Sequence, residues 1–150
     1  MPILERMPTS SFFLAYGSSS ATPFSSQDLA DLLDVSRANN ERVGITGMLL
    51  YRGGSFLQAL EGPEAAVRDT MQRIEGDLRH GSVVPLLEEL HEDRLFADWS
   101  MAFEDVSQLD AAAHPGLSQY LAPLASTGTI TERDDHDVFE FFRSFRLQMR

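Results

Sequence analysis

Apolar and polar positions along the chain follow two rhythms. "SFFLAY" (11–16) is a short aromatic and aliphatic run and predicts a first strand, followed by a polar loop, "GSSSATPFSS". In "QDLADLLDVSRANN" (27–40), Leu29, Leu32, Leu33 and Val35 recur at helical spacing, with acids in the first turn and Ser25 or Ser26 placed to cap it. "GITGMLLY" and "SFLQALEG" flank Gly53-Gly54, the signal of a tight hairpin. Pro63 opens a second helix, "EAAVRDTMQRIEGDL", with Ala66, Val67, Met71 and Ile74 on one stripe. "SVVPLLEEL" (82–90) predicts a fourth strand, and Pro85 marks it as an edge or a bulge. "WSMAFED" (99–105) predicts a fifth.

The order β-α-β-β-α-β-β is the ferredoxin-like plan of an α+β domain with one strand added. Right-handed crossovers place strands one and three together at the sheet centre, with both helices on one face. Residues 1–105 are expected to form this domain and 106–150 a helical extension. "PGLSQYLAPLASTGT" predicts a short helix broken by Pro123. "TERDDHDVFEFFRSFRLQMR" predicts a final helix capped by Thr131, with Val138, Phe142, Phe145 and Met149 on one apolar stripe. That stripe is suited to the sheet face opposite the two helices, where Phe13, Ala15, Met48, Leu50, Leu57 and Ala59 point. Phe139 and Phe141 are left exposed in this arrangement, free to meet another subunit or a partner.

One residue breaks the pattern of the third strand. Gln58 lies in the middle of an apolar run, where an unpartnered amide costs on the order of 1–3 kcal/mol. A two-residue turn at Gly53-Gly54 pairs Leu49 with Gln58 and Tyr51 with Phe56. Alternation puts Phe56, Gln58 and Leu60 on one face, and Phe12, Leu14 and Tyr16 on the same face of strand one. The Tyr16 hydroxyl is thereby brought within reach of the Gln58 amide. The first helix is expected to end at Asn39-Asn40, two more amides near the sheet. Such a patch either satisfies itself as a structural hydrogen bond or holds a flat heterocycle with donors and acceptors along one edge.

Composition narrows the chemistry. Hydrophobic residues make up 43% and charged residues 23% of 150, as in a globular domain. There is no cysteine, so disulfides and thiolate chemistry are excluded. All twelve basic residues are arginine, which rules out a Schiff-base lysine and a Walker-type phosphate loop. The net charge of −11 argues against nucleic acid or an anionic membrane as the main partner. His80, His91, His114 and His136 lack metal-ligand spacing, so no metal is expected. No run reaches membrane-spanning length and the start lacks the apolar core of a signal peptide, which makes the cytoplasm the expected compartment.

Four segments, in order and at matching intervals, resemble the BLUF family of domains that sense blue light using FAD. They are "FLAYGSS", "RANNERVGITGMLLYRGGSFLQALEG", "RIEGDLRH" and "FADWSMAFEDV", and the resemblance spans roughly residues 11 to 105. It implies a flavin ring between the two helices, with Leu32 and Ile74 against its faces. Asn40 would bond the pyrimidine edge of the ring, with Asn39 nearby, and Asp77, Arg79 and His80 would lie toward the ribityl and phosphate side. Gln58 would bridge the flavin and Tyr16. Light would take an electron and a proton from the Tyr16 phenol, and their return would leave Gln58 rearranged, with a new bond to the flavin carbonyl. An amide suits this because it donates on one side and accepts on the other.

Trp99 and Met101, two apart on strand five, would share a face, and both could approach Gln58. The resemblance implies a sensor rather than an enzyme, passing its signal through strand five and the C-terminal helices to a downstream signalling protein. A homo-oligomer, at least a dimer, is expected. Two alternatives on the same plan are a small acylphosphatase-like hydrolase and a flavin-free interaction domain. The first needs an arginine-containing phosphate loop after strand one, and "GSSSATP" has no arginine.

Overall fold

In the computed structural model, residues 11–20, 24–52, 54–77, 80–97, 99–106, 139 and 141–143 are described. They form β1 (Ser11–Ser20), α1 (Ser26–Val43), β2 (Thr46–Arg52), β3 (Ser55–Gly62), α2 (Glu64–Glu75), β4 (His80–His91) and β5 (Ala102–Asp105). The five strands make one sheet in the order β4-β1-β3-β2-β5. β1 and β3 are antiparallel neighbours at its centre, as the crossover rule requires, and β5 is added parallel to β2 at one edge.

The hairpin has the register that its turn dictates, with Leu49 opposite Gln58 and Tyr51 opposite Phe56. Gly47 is fixed by close approach: a Cβ there would meet the Ala59 carbonyl oxygen at 2.1 Å, so only glycine lets β2 lie against β3. β4 is an edge strand, and its pairing with β1 slips between Ala15 and Tyr16, which face Leu87 and Pro85. Pro85 therefore sits on an edge and beside a bulge, where its missing N–H is tolerated.

Several element bounds differ from the sequence expectation. β1 runs on to Ser20 through a stretch expected to be loop, because Gly17 to Ser19 pair with β3 on one side and β4 on the other. Pairing on both edges overrides the weak strand preference of glycine and serine. α1 does not stop at Asn39-Asn40 but continues to Val43. Its left-handed C-cap is Gly44, φ 78°, whose N–H returns to the Asn40 carbonyl. Ser25 is the N-cap, and Ser25 and Asp28 form a reciprocal capping box. Val35 is 60% exposed: six residues on from Leu29, it lies about 120° round the helix from it, beyond Leu32 at the edge of the α1 stripe. β5 begins at Ala102, three residues later than expected.

The sheet carries a core on each face. Under α1 and α2 lie Phe12, Leu14, Tyr16, Leu49, Phe56, Leu60, Val67, Met71 and Met101, with Leu32 and Ile74 packed against them. On the other face Phe13, Ala15, Met48, Leu50, Leu57 and Ala59 join Leu87, Phe96, Val106 and Phe142. Phe142 is fully buried there, its ring edge-on to Phe13 and Phe96. Phe139 and Phe141, expected to be free, are half-buried against this same core, and Phe139 stacks on His91 with centroids 4.7 Å apart. Phe139 and Phe141–Arg143 are helical. The rest of the helices expected over 115–129 and 131–150, with Thr131, Pro123, Val138, Phe145 and Met149, lies outside the described residues.

Candidate functional site

Tyr16 and Gln58 are direct partners across the β1–β3 ladder, and both side chains point under the helices. The Tyr16 hydroxyl donates to Gln58 Oε1. On its other side Gln58 Nε2 donates to Met101 Sδ at 3.5 Å. The amide that is out of place in the sequence is therefore bonded at both ends, to a phenol and to a thioether. All three side chains are nearly excluded from solvent, Tyr16 and Met101 at 2% exposure and Gln58 at 5%. Burial, and secondarily the charge of Asp77, push the Tyr16 phenol far above its usual pKa, so it holds its proton.

Asn40 is the third polar group of this layer. It is buried, and its Nδ2 donates to the Ser100 carbonyl at 2.8 Å. One turn earlier on α1, Arg37 Nε donates to the Met101 carbonyl at 3.0 Å. α1 thus holds the backbone that carries Met101. Asn39 is half-buried, and its Oδ1 accepts from the exposed Arg42 at 3.3 Å. Asp77, half-buried, follows α2 directly, its N–H returning to the Ile74 carbonyl. His80 opens β4, opposite Ser20. Arg79, and the side chain of His80, lie outside the described residues.

Trp99 and Met101 do not share a face. Trp99 precedes β5, in a turn closed by its own N–H on the Phe96 carbonyl, so strand alternation does not reach back to it. Its ring lies against Phe96, 6.1 Å between centroids, in the core on the far side of the sheet. Met101 alone of the pair approaches Gln58.

A residue missed in the sequence reading is Glu61. It is 2% exposed, at the end of β3, on the face opposite Tyr16 and Gln58. Its two carboxylate oxygens accept from the backbone N–H groups of Leu95, at 2.5 Å, and Phe96, at 2.8 Å. Burial raises its pKa, and the Leu95 and Phe96 N–H groups, Arg94 and Thr46 act in the opposite direction. The available signal was strand alternation: Glu61 stands two residues beyond Ala59, on an inward-facing position.

The family is settled by comparison. A family model described as "BLUF: Sensors of blue-light using FAD" matches residues 12–102. The chain belongs to the BLUF family. It is a blue-light photoreceptor that uses FAD. A BLUF protein, BlrB, in its dark-state structure matches 95% of this chain and 99% of its own, with a TM-score of 0.74 and 30% identity. A bacterial light-regulated adenylyl cyclase matches 92% of this chain and 35% of its own, with a TM-score of 0.64 and 26% identity. The photoactivated adenylate cyclase subunit alpha of Euglena gracilis is 37% identical over 117 residues, 76% of this chain and 11% of that one. The beta subunit of Euglena longa is 33% identical over 120 residues, 79% of this chain and 14% of that one. The BLUF chain thus spans little more than a tenth of these cyclase subunits. BLUF domains are sensor modules, and neither the hydrolase nor the flavin-free alternative finds support among these relatives. Among the described residues no helix is long and apolar enough to cross a membrane.

The residues present fit a flavin ring. The polar edges of Tyr16, Gln58 and Asn40 enter one otherwise apolar layer beneath two helices. The hydroxyl of Thr70 on α2 is buried without a partner. A separate surface cleft of about 490 Å³ lies between the end of α1 and the length of α2, lined by Arg42, Val43, Ala66, Asp69, Thr70, Gln72 and Arg73. A thioether is also a weak acceptor for the Gln58 amide, which leaves that amide with hydrogen-bonding capacity for a better one.

Proposed function

We propose that this chain converts blue light into a change in the Tyr16–Gln58–Met101 hydrogen-bond chain and passes it along β5 to a separate signalling protein, without catalysing a reaction of its own. The observation that carries this is the buried Gln58, bonded to a phenol at one end and to the β5 segment at the other. When bound, FAD supplies an excited state that accepts an electron and a proton and returns them. Tyr16 is placed to give and recover them, since burial keeps its phenol protonated at any physiological pH. Gln58 can exchange its donor and acceptor ends without moving the sheet, because rotation of an amide swaps N–H for C=O in place. Any such swap alters what Met101 meets. Asn40 would hold the pyrimidine edge of the ring and Leu32 and Ile74 its faces, with Asp77, Arg79 and His80 toward the phosphates. Asn39 would stand near the pyrimidine edge, its Oδ1 also accepting from Arg42.

A partner of the cyclase kind is suggested by the relatives, in which a matching segment is part of a photoactivated adenylate cyclase. The test is the absorption spectrum of the purified, flavin-loaded protein before and after blue light. A small, reversible red shift is expected, lost in Tyr16→Phe with the flavin retained. A loaded protein without a shift, or a Tyr16→Phe variant that cycles normally, would sink the assignment.

A further inference from the structure

Met101 stands at the end of the segment that joins β4 to β5, and the described residues of that segment are tied down at several points. Among the described residues five anchors hold that segment, one of them Thr46, whose hydroxyl accepts from Arg94 at 3.1 Å. Glu61 takes the N–H groups of Leu95 and Phe96. Gly47 donates its N–H to the Trp99 carbonyl at 3.0 Å. Asn40 and Arg37 donate to the carbonyls of Ser100 and Met101. Gly47, Asn40 and Arg37 are donors from β2 and α1, and Glu61, with Thr46 opposite it, holds the start of the segment from the far face of the sheet.

Glu61, a buried carboxylate, is the costliest of these anchors. A buried carboxylate is tolerated where its oxygens are matched by donors, and here each oxygen takes one backbone N–H. Thr46 adds a weaker hydroxyl bond to Oε1 at 3.4 Å and itself accepts from Arg94 at 3.1 Å, which brings a positive charge close by. Fixing two successive backbone N–H groups restrains Leu95 and Phe96, at the start of the stretch that leads to Met101. Phe96, fully buried beside Trp99 and Phe142, is locked by the same contact. One carboxylate therefore couples the start of the Met101 segment to the core that Phe142 shares.

We propose that Glu61 is a positioning residue of the photocycle: its carboxylate, by clamping Leu95 and Phe96, limits the travel of Met101 and so sets how fast the light-adapted state returns to the dark. The proposal rests on the assignment of Gln58 and Met101 given above. It places the control of recovery on the side of the sheet away from the flavin, at a residue that touches neither the ring nor Gln58.

The experiment is a double-mutant cycle read by dark recovery of the red-shifted absorbance, on the flavin-loaded full chain at fixed temperature and pH. Glu61→Gln keeps the volume but sets an NH₂ group against one of the two N–H donors. It is expected to speed recovery about tenfold, the size of one lost charge-assisted hydrogen bond. In a Met101→Ala background the same change is expected to do little, because the clamp acts through Met101. An equal effect in both backgrounds, or none in either, overturns the proposal, because a merely structural residue would not couple to Met101. Thr46→Val, which removes only the hydroxyl, is run through the same cycle with a smaller shift expected, about twofold. It carries the test if Glu61→Gln fails to fold, and additivity there is equally fatal. Wild-type protein that gives no red shift at all refutes the photochemical assignment instead, so the two failures are separable.

Discussion

Replacing Gln58 by leucine, Tyr16 by phenylalanine, and both together tests whether the two side chains act as one buried unit. Gln58→Leu keeps roughly the same volume and takes away the acceptor of the Tyr16 hydroxyl, which then sits unpaired in an apolar layer at 2% exposure. An orphaned buried hydroxyl costs about 1–3 kcal/mol. Tyr16→Phe does the reverse. It leaves the Gln58 carbonyl oxygen without its donor, with a cost of the same order. When both are replaced, no polar atom of the pair remains to be satisfied, and apolar groups of matching shape can substitute almost without loss. The singles should therefore each lose about 1–3 kcal/mol and the double much less than their sum, a coupling of about 2 kcal/mol. For a chain of this size each 1 kcal/mol moves the thermal midpoint by about 2–4 °C. The assay is urea unfolding in the dark at saturating and constant flavin, since a ligand of the native state shifts the midpoint by mass action. A double variant that equals the sum of the singles to within about 0.5 kcal/mol would refute the pairing. All three variants should also lose the reversible absorbance change.

Asn40→Ala should weaken flavin retention through dialysis and also loosen the Met101 segment, since it releases the Ser100 carbonyl; a variant with unchanged flavin content would remove Asn40 from the binding set. Ending the chain after Asp105 removes Val106 and Phe142, both fully buried on the second sheet face. The shortened protein should keep its flavin site yet aggregate or change its assembly, because an uncovered apolar sheet face seeks a partner; unchanged mass by light scattering, with full solubility, would contradict this.

The parts legible in the sequence are those governed by a period and a turn. Gly53-Gly54 fixes the hairpin register, period two then fixes which residues face the helices, and the crossover rule sets β1 beside β3. Together these suffice to put Tyr16 opposite Gln58. What was not legible depends on where regular structure stops. Asn39-Asn40 has the composition of a helix end, but the chain reaches a left-handed glycine only at Gly44, one turn later. Trp99 and Met101 were assigned one face by an alternation that does not begin until Ala102. Glu61 was legible in principle, since the alternation that singled out Gln58 also turns Glu61 inward. Its partners are backbone N–H groups of a loop, and no residue type announces those.

The two outer strands have a consequence for assembly. β4 carries Pro85 and a slipped register, with Glu88, Glu89 and His91 along its second half, and β5 has only four residues, two of them acidic. Among the described residues, Pro85 takes one N–H out of the β4 border, β5 is short, and Glu88, Glu89 and Glu104 set like charges where a second copy would pair. Both borders are therefore poorly suited to strand addition. Side chains presented by its helices or loops are better suited to recruitment, a kind of contact that can be made and released as those side chains shift.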